Sequence, residues 1–133
     1  PESQDYYMRT SIYGRWEVTE HIPPTGIYAL SEEEIQSFEG VHMQYERDWY
    51  KVLGDSDLNR IEGYHKETIT AGEFEEGFMV DIGGMGISVE SFQYYEPEGL
   101  SGNGALFGQH FYLIDKDNAL IYYEGVFFRA VRE

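Results

Sequence analysis

Any chemistry this chain performs must come from oxygen and imidazole groups, because it contains no cysteine. Disulfides, thiolate metal sites and a cysteine nucleophile are thereby excluded. The four histidines stand at 21, 42, 65 and 110. None has H-x-x-x-H or H-E-x-x-H spacing, and a zinc site needs at least three converging ligands, so no metal site is expected. His65 and Glu67 in "YHKE" are two apart and share one face of a strand, where the carboxylate could orient the imidazole. A solvated pair has the same spacing. His110 lies in the apolar run "GQHFYLI", which suits either a haem axial ligand inside a barrel or a hydrogen-bonded core histidine. Ser11, Ser88 and Ser91 lack the G-x-S-x-G elbow of a hydrolase. The reading is a non-enzyme with no catalytic residue and no cofactor.

Three strings imitate functional loops and fail on inspection. Asp55, Asp57 and Asn59 begin like an EF-hand, but its sixth position is Arg60 where Gly is needed and its twelfth is Lys66 where Glu is needed. A polar turn is expected instead. "GGMG" at 83–86 lacks the Lys and Ser or Thr of a phosphate loop and leads into a strand pattern, so its glycines read as turn residues. Glu32, Glu33 and Glu34 resemble a metal cluster, yet Ser31 with Glu34 three residues on is a capping box, and acidic residues suit a helix N-terminus.

The elements that must position these groups are mostly strands. Twelve Tyr and eight Phe bring aromatics to 17% of the 133 residues, in short runs broken by Gly, Asp and Asn. Residues 12–22 alternate as a first strand that Pro23 and Pro24 stop. A short helix is predicted over 31–38, ended by Gly40, followed by strands in "VHMQYER", "WYKVL" and "IEGYHKETI". Thr70 with Glu73 repeats the capping pattern and opens a second short helix, with Phe74 and Phe78 four apart on one face. Alternation from Ile87 to Tyr95 predicts another strand. The runs "ALFGQHFYLID" and "ALIYYEGVFFRAVRE" around "KDN" predict a hairpin.

Nine Lys and Arg against 25 Asp and Glu give a formal charge of −16, a field that repels phosphate backbones and anionic lipid headgroups. Nucleic acid is excluded as a partner. A sugar, an apolar small molecule or a cationic protein surface remains allowed. No stretch approaches the ~20 apolar residues of a membrane span, so direct membrane insertion is not expected. The length suits one domain. Residues 1–11 read as a polar tether and residues 12–133 as the domain. A start at Pro1 without Met is what a processed chain shows, with a signal peptide or lipid anchor already removed. The expected location is the cell envelope or outside the cell, and the cytoplasm is also compatible.

An antiparallel chain of this length commonly removes its edges by closing into a barrel. Gly14-x-Trp16 at the mouth of the first strand, with an Arg near the end of the last, resembles the lipocalin and wider calycin pattern. The layout of "GRWEV", "SEEEI" with "FEG", "GEFEEGF", "GMGIS" and the closing "YLIDKDNALIYYEGVFFRAVRE" is similar to a lipocalin-like domain of often exported Gram-positive proteins. The resemblance implies a mainly β fold, an antiparallel up-and-down barrel of about eight strands with two short helices. It implies that Gly14 and Trp16 are structural, the Trp closing the barrel bottom while Arg129 or Arg132 packs across it by a cation–π contact. The Thr-Asp-Tyr type loop of lipocalins is missing, so a hollow interior and one filled by its own side chains both fit.

The function expected on this basis is binding of a small apolar or aromatic ligand. Trp16, Tyr45, Trp49, Tyr94, Phe111 and Tyr122 are the residues expected to line the barrel or its mouth, or to form its core. The alternative is a protein-interaction or inhibitor domain that engages a cationic partner through its acidic outer surface. Monomer and edge-paired dimer are both open.

Overall fold

Alternating apolar and polar residues with many aromatics make most of this chain extended, and each such run finds an antiparallel neighbour. The computed structural model describes residues 11–24, 26–54, 58–100 and 106–133. Asp55 and Asp57 of the expected polar turn, and nearly all of the expected tether, lie outside the described residues. Among the described residues the strands are β1 (Gly14–Ile22), β2 (His42–Tyr45), β3 (Trp49–Val52), β4 (Asn59–Arg60), β5 (Gly63–Thr70), β6 (Ser91–Glu98), β7 (His110–Leu113), β8 (Asn118–Tyr123) and β9 (Val126–Arg132). Two helices, α1 (Glu32–Phe38) and α2 (Ala71–Phe78), complete the fold. No described helix is long and apolar enough to cross a membrane.

The nine strands form one antiparallel sheet in the order β4-β3-β2-β1-β9-β8-β7-β6-β5. First and last strands pair, Trp16 opposite Arg132 and Val18 opposite Ala130. This is the up-and-down order of a curled barrel whose two edges, β4 and β5, follow each other in the chain. Ile61 N–H donates to Asp48 O at 3.0 Å on the β3 side, and Glu62 N–H donates to Glu98 O at 2.7 Å on the β6 side, while no ladder joins β4 to β5 among the described residues, which leaves a curled half-barrel. Asn59 and Arg60, expected in a polar turn, form the short edge strand β4, and the count is nine strands where about eight were expected.

Both capping boxes form as the sequence predicts. Ser31 accepts from Glu34 N–H and Thr70 accepts from Glu73 N–H, while each glutamate reaches back to its cap's amide. Helix α1 puts Ile35 and Phe38 into the barrel interior, where Phe38 stacks on Phe107 with ring centroids 4.1 Å apart. Helix α2 lies on the opposite, outer face, with Phe74 stacked 4.5 Å from Phe92. Two differences from expectation stand out. Ile87 and Val89 are loop residues packed on that outer layer, and the strand starts only at Ser91. The closing run also folds back on itself: β8 and β9 are joined at Glu124 and Gly125, both at positive φ (51° and 89°), the backbone of a tight two-residue hairpin.

Of the two arginines considered, Arg132 packs on the tryptophan, its guanidinium carbon 4.4 Å from the Trp16 ring centroid. It also donates to Tyr13 O at 2.7 Å and to Ser11 O at 2.6 Å. Trp16 is fully buried, and its indole N–H donates to Ile12 O at 2.8 Å. Gly14 has φ +115°, a backbone conformation that favours glycine, and a Cβ there would be in ordinary contact with the guanidinium at 3.4 Å. Arg129 is three residues earlier, an odd step along a strand, and so faces outward.

Replacing Arg132 by Leu removes the cation–π contact and charge-assisted hydrogen bonds to Tyr13 O, Ser11 O and Lys116 O. Urea unfolding is expected to show a loss of about 2–4 kcal/mol, with Arg132→Lys recovering only part of it. The barrel interior also makes the fold sensitive to alkali. Burial raises the phenol pKa of Tyr45, Tyr50 and Tyr64, with neighbouring tyrosines adding to Tyr45 and Tyr64. Above about pH 10 the unfolded chain releases phenolic protons that the folded chain retains, so stability falls as pH rises through that point. Urea midpoints should drop between pH 9 and 11, while absorbance of the folded protein at pH 11 shows these phenols still protonated.

Candidate functional site

Among the described residues the interior of the barrel is packed with aromatic side chains. Trp16, Tyr45, Tyr50, Phe111 and Phe128 are all at zero exposure. Phe111 meets Trp16 edge-on at 5.0 Å and Tyr45 at 5.2 Å, and Tyr45 stacks on Tyr50 at 5.4 Å. Tyr45 O–H donates to Gly108 O at 2.8 Å. A Cβ on Gly108 would stand 2.5 Å from Met43 Cε and 2.7 Å from the Tyr45 hydroxyl, which shows how little space remains.

Of the six aromatics expected to line the barrel, Trp16, Tyr45 and Phe111 are therefore inside, as core. Trp49, Tyr94 and Tyr122 are not inside. The pleat turns successive residues to opposite faces, and Tyr50, Tyr95 and Ile121, one residue from each, belong to the interior. Tyr94 and Tyr122 join the outer aromatic layer. Tyr94 hydroxyl lies 2.7 Å from His110 Nδ1, and partial burial, then Glu96 and Glu67, raise its pKa.

His110 likewise faces outward, half-buried, with Glu96 at 3.8 Å. Each of the other histidines also meets a carboxylate. His21 Nδ1 is 3.1 Å from Glu39, which its hydrogen bonds hold below the usual carboxylate range. His42 contacts Glu133. His65 and Glu67 are 3.4 Å apart and more than half exposed. Among the described residues no three His, Asp or Glu groups converge on a point that could hold a metal. "GGMG" forms a turn over 82–86, held to the sheet by Arg129, which donates to Met85 O and pairs with Glu20 at 3.4 Å.

Among the described residues, a concavity able to take a ligand lies outside the barrel. A cleft of 620 Å³ opens between the C-terminal end of α2 with residues 79–85, residues 22–24 and 26–27, and the outer face of β8 and β9. Its floor is three rings, Phe78, Tyr122 and Phe127, with all three centroid separations 4.9 Å. Its rim carries two large exposed apolar side chains, Ile27 at 100% and Met79 at 88%. Met79 caps α2 in the left-handed region, φ 55°, a conformation that costs a non-glycine residue about 1 kcal/mol. Glu75 accepts from Ile82 N–H at 3.0 Å and ties the loop to the helix.

One wall crosses directly over the β8–β9 turn. Ala29 N–H donates to Glu124 O at 3.0 Å, and a Cβ on Gly125 would strike Ile27 O at 2.6 Å and Tyr28 Cα at 2.7 Å. No local sequence signal pointed to this cleft. The apolar residues after α2, "FMVDIGGMGI", were its only trace.

Fold and site together define an up-and-down antiparallel sheet curled into a half-barrel, with an aromatic-packed interior and an external aromatic-floored cleft. No family model, curated protein or solved structure matches the chain.

Gly125→Ala puts a methyl group into the backbone of the crossing segment at a positive φ. A loss of about 1–3 kcal/mol is expected, together with faster proteolytic cleavage between residues 22 and 29, read by limited proteolysis and mass spectrometry.

Proposed function

We propose that this protein is a non-enzymatic binding module that holds a small apolar or aromatic ligand in the outer cleft. The observation that carries this reading is the cleft itself: a concavity of 620 Å³ with an aromatic floor and exposed Ile27 and Met79 at its rim. That volume lies within the roughly 300–1,000 Å³ range of small-molecule sites, which are mostly apolar with few polar groups. Isolated exposed apolar residues are ordinary, but two on the rim of one apolar concavity mark a surface that gains by being covered. Membership of the calycin group is part of the proposal, supported by the Trp16–Arg132 stack and by the pairing of first and last strands. Within that group the ligand site would have moved from the barrel interior to its exterior.

Gly77 offers a direct test. It lines the cleft near the end of α2, and a Cβ there meets nothing within 4 Å. Leu at 77 fills the cleft and improves helix propensity by up to about 1 kcal/mol. The neutral dye Nile red should bind the native protein with enhanced fluorescence, and Gly77→Leu should weaken it at least about tenfold while the melting temperature holds or rises. Equal binding by the two proteins would place the dye elsewhere and remove the cleft as the site.

A further inference from the structure

We propose that the cleft selects a small amphipathic cation, an ammonium group on an apolar body, over neutral and anionic molecules of the same shape. This inference rests on the cleft being the ligand site. Asp81 is the one charged side chain among the described lining residues, and no Lys or Arg lines the cleft with it. Its Oδ1 accepts from Gly83 N–H at 3.0 Å, which fixes the carboxylate by an Asx-type bond to its own loop. Its Oδ2 lies beside Gly84, itself a lining residue, where an added Cβ would stand 3.7 Å away. One carboxylate oxygen is thus held by the backbone and the other lies near Gly84, on a residue that lines both this cleft and a neighbouring hollow with Glu75 and Glu90.

The floor supports the same choice. Phe78, Tyr122 and Phe127 pack too closely on one another for a group to enter between them, so they present one continuous apolar, π-rich surface. An alkyl or aryl body lies on that surface, and a cation near its edge gains from the ring electrons as well as from Asp81. The formal charge of −16 draws cations toward the protein and repels carboxylates and phosphates. Shape here selects an apolar body, and charge selects its head group.

Displacement of Nile red by n-octylammonium, 1-octanol and octanoate at low ionic strength separates these contributions. Because Asp81 is exposed, its pair energy is that of a surface ion pair, and n-octylammonium should bind about fivefold tighter than 1-octanol. Octanoate should bind more weakly than the alcohol, and added salt should shrink both differences. Asp81→Asn keeps an oxygen for Gly83 N–H and should bring the ammonium-to-alcohol ratio toward one. Glu32→Gln, a like change in charge outside the cleft, should leave that ratio in place. Equal displacement by all three compounds would overturn the cation preference while leaving an apolar cleft. An unchanged ratio in Asp81→Asn would overturn the assignment to Asp81. Failure of Nile red itself to bind the native protein would remove the cleft reading and this inference together.

Discussion

The pleat of a strand sends successive side chains to opposite faces, and in β6 to β9 both faces are apolar. Phe111, Ile121 and Phe128 point into the barrel, while Tyr112, Leu120 and Phe127, their immediate neighbours, point out. A sheet built this way needs two covers. The barrel supplies one by curling on itself and taking in α1. The other is α2 with the loop that follows it, laid across the convex side through Phe74, Phe78, Ile82, Met85 and Ile87. The cleft is where that second cover stops short of residues 22–24 and 26–27, so the candidate site follows from having an outer layer.

Two arginines on the last strand hold this arrangement from both sides. Arg132 faces inward and ties the start of the chain to its end, through the Trp16 ring and the carbonyls of Ser11 and Tyr13. Arg129 faces outward and fixes the cover loop through Met85 O. Guanidinium suits both places because its planar fork meets several carbonyls at once and its face stacks on an indole. Only one strand carries both, since three residues of separation place them on opposite faces.

The carboxylate pairing of the histidines shows how an acidic surface shapes potential chemistry. Each imidazole has one anionic neighbour, which can orient it, and His110 also meets the Tyr94 hydroxyl at 2.7 Å. The proposed binding role draws on other parts of the surface, an apolar concavity with a single carboxylate among its described lining residues.

Local signals in the sequence were reliable wherever one residue type satisfies one backbone need. Ser31 with Glu34 and Thr70 with Glu73 determined both helix starts, since those side chains close free amides within a single turn. Pro23 and Pro24 set the end of β1, and the Asp115 to Asn118 turn set the β7–β8 hairpin. The Glu124–Gly125 turn was hidden because glutamate is an uncommon choice at positive φ, where Asn or Asp is the usual signal. The strand pattern from Ile87 failed because alternation looks the same whether apolar residues face a ladder neighbour or cover a sheet from above.

The sequence by itself determined a cysteine-free, strongly acidic, mainly β chain with two capped helices and a Trp near the start of its first strand. Tertiary structure alone decided which aromatic faces which side, because one step along a strand reverses the answer and aromatics here occur at adjacent positions. It also chose Arg132 over Arg129, packed the barrel with aromatics, and put the cleft outside. That cleft is assembled from residues within 22–24, 26–27, 77–85 and 122–127, segments brought together by packing alone, and no spacing along the chain encodes such a meeting.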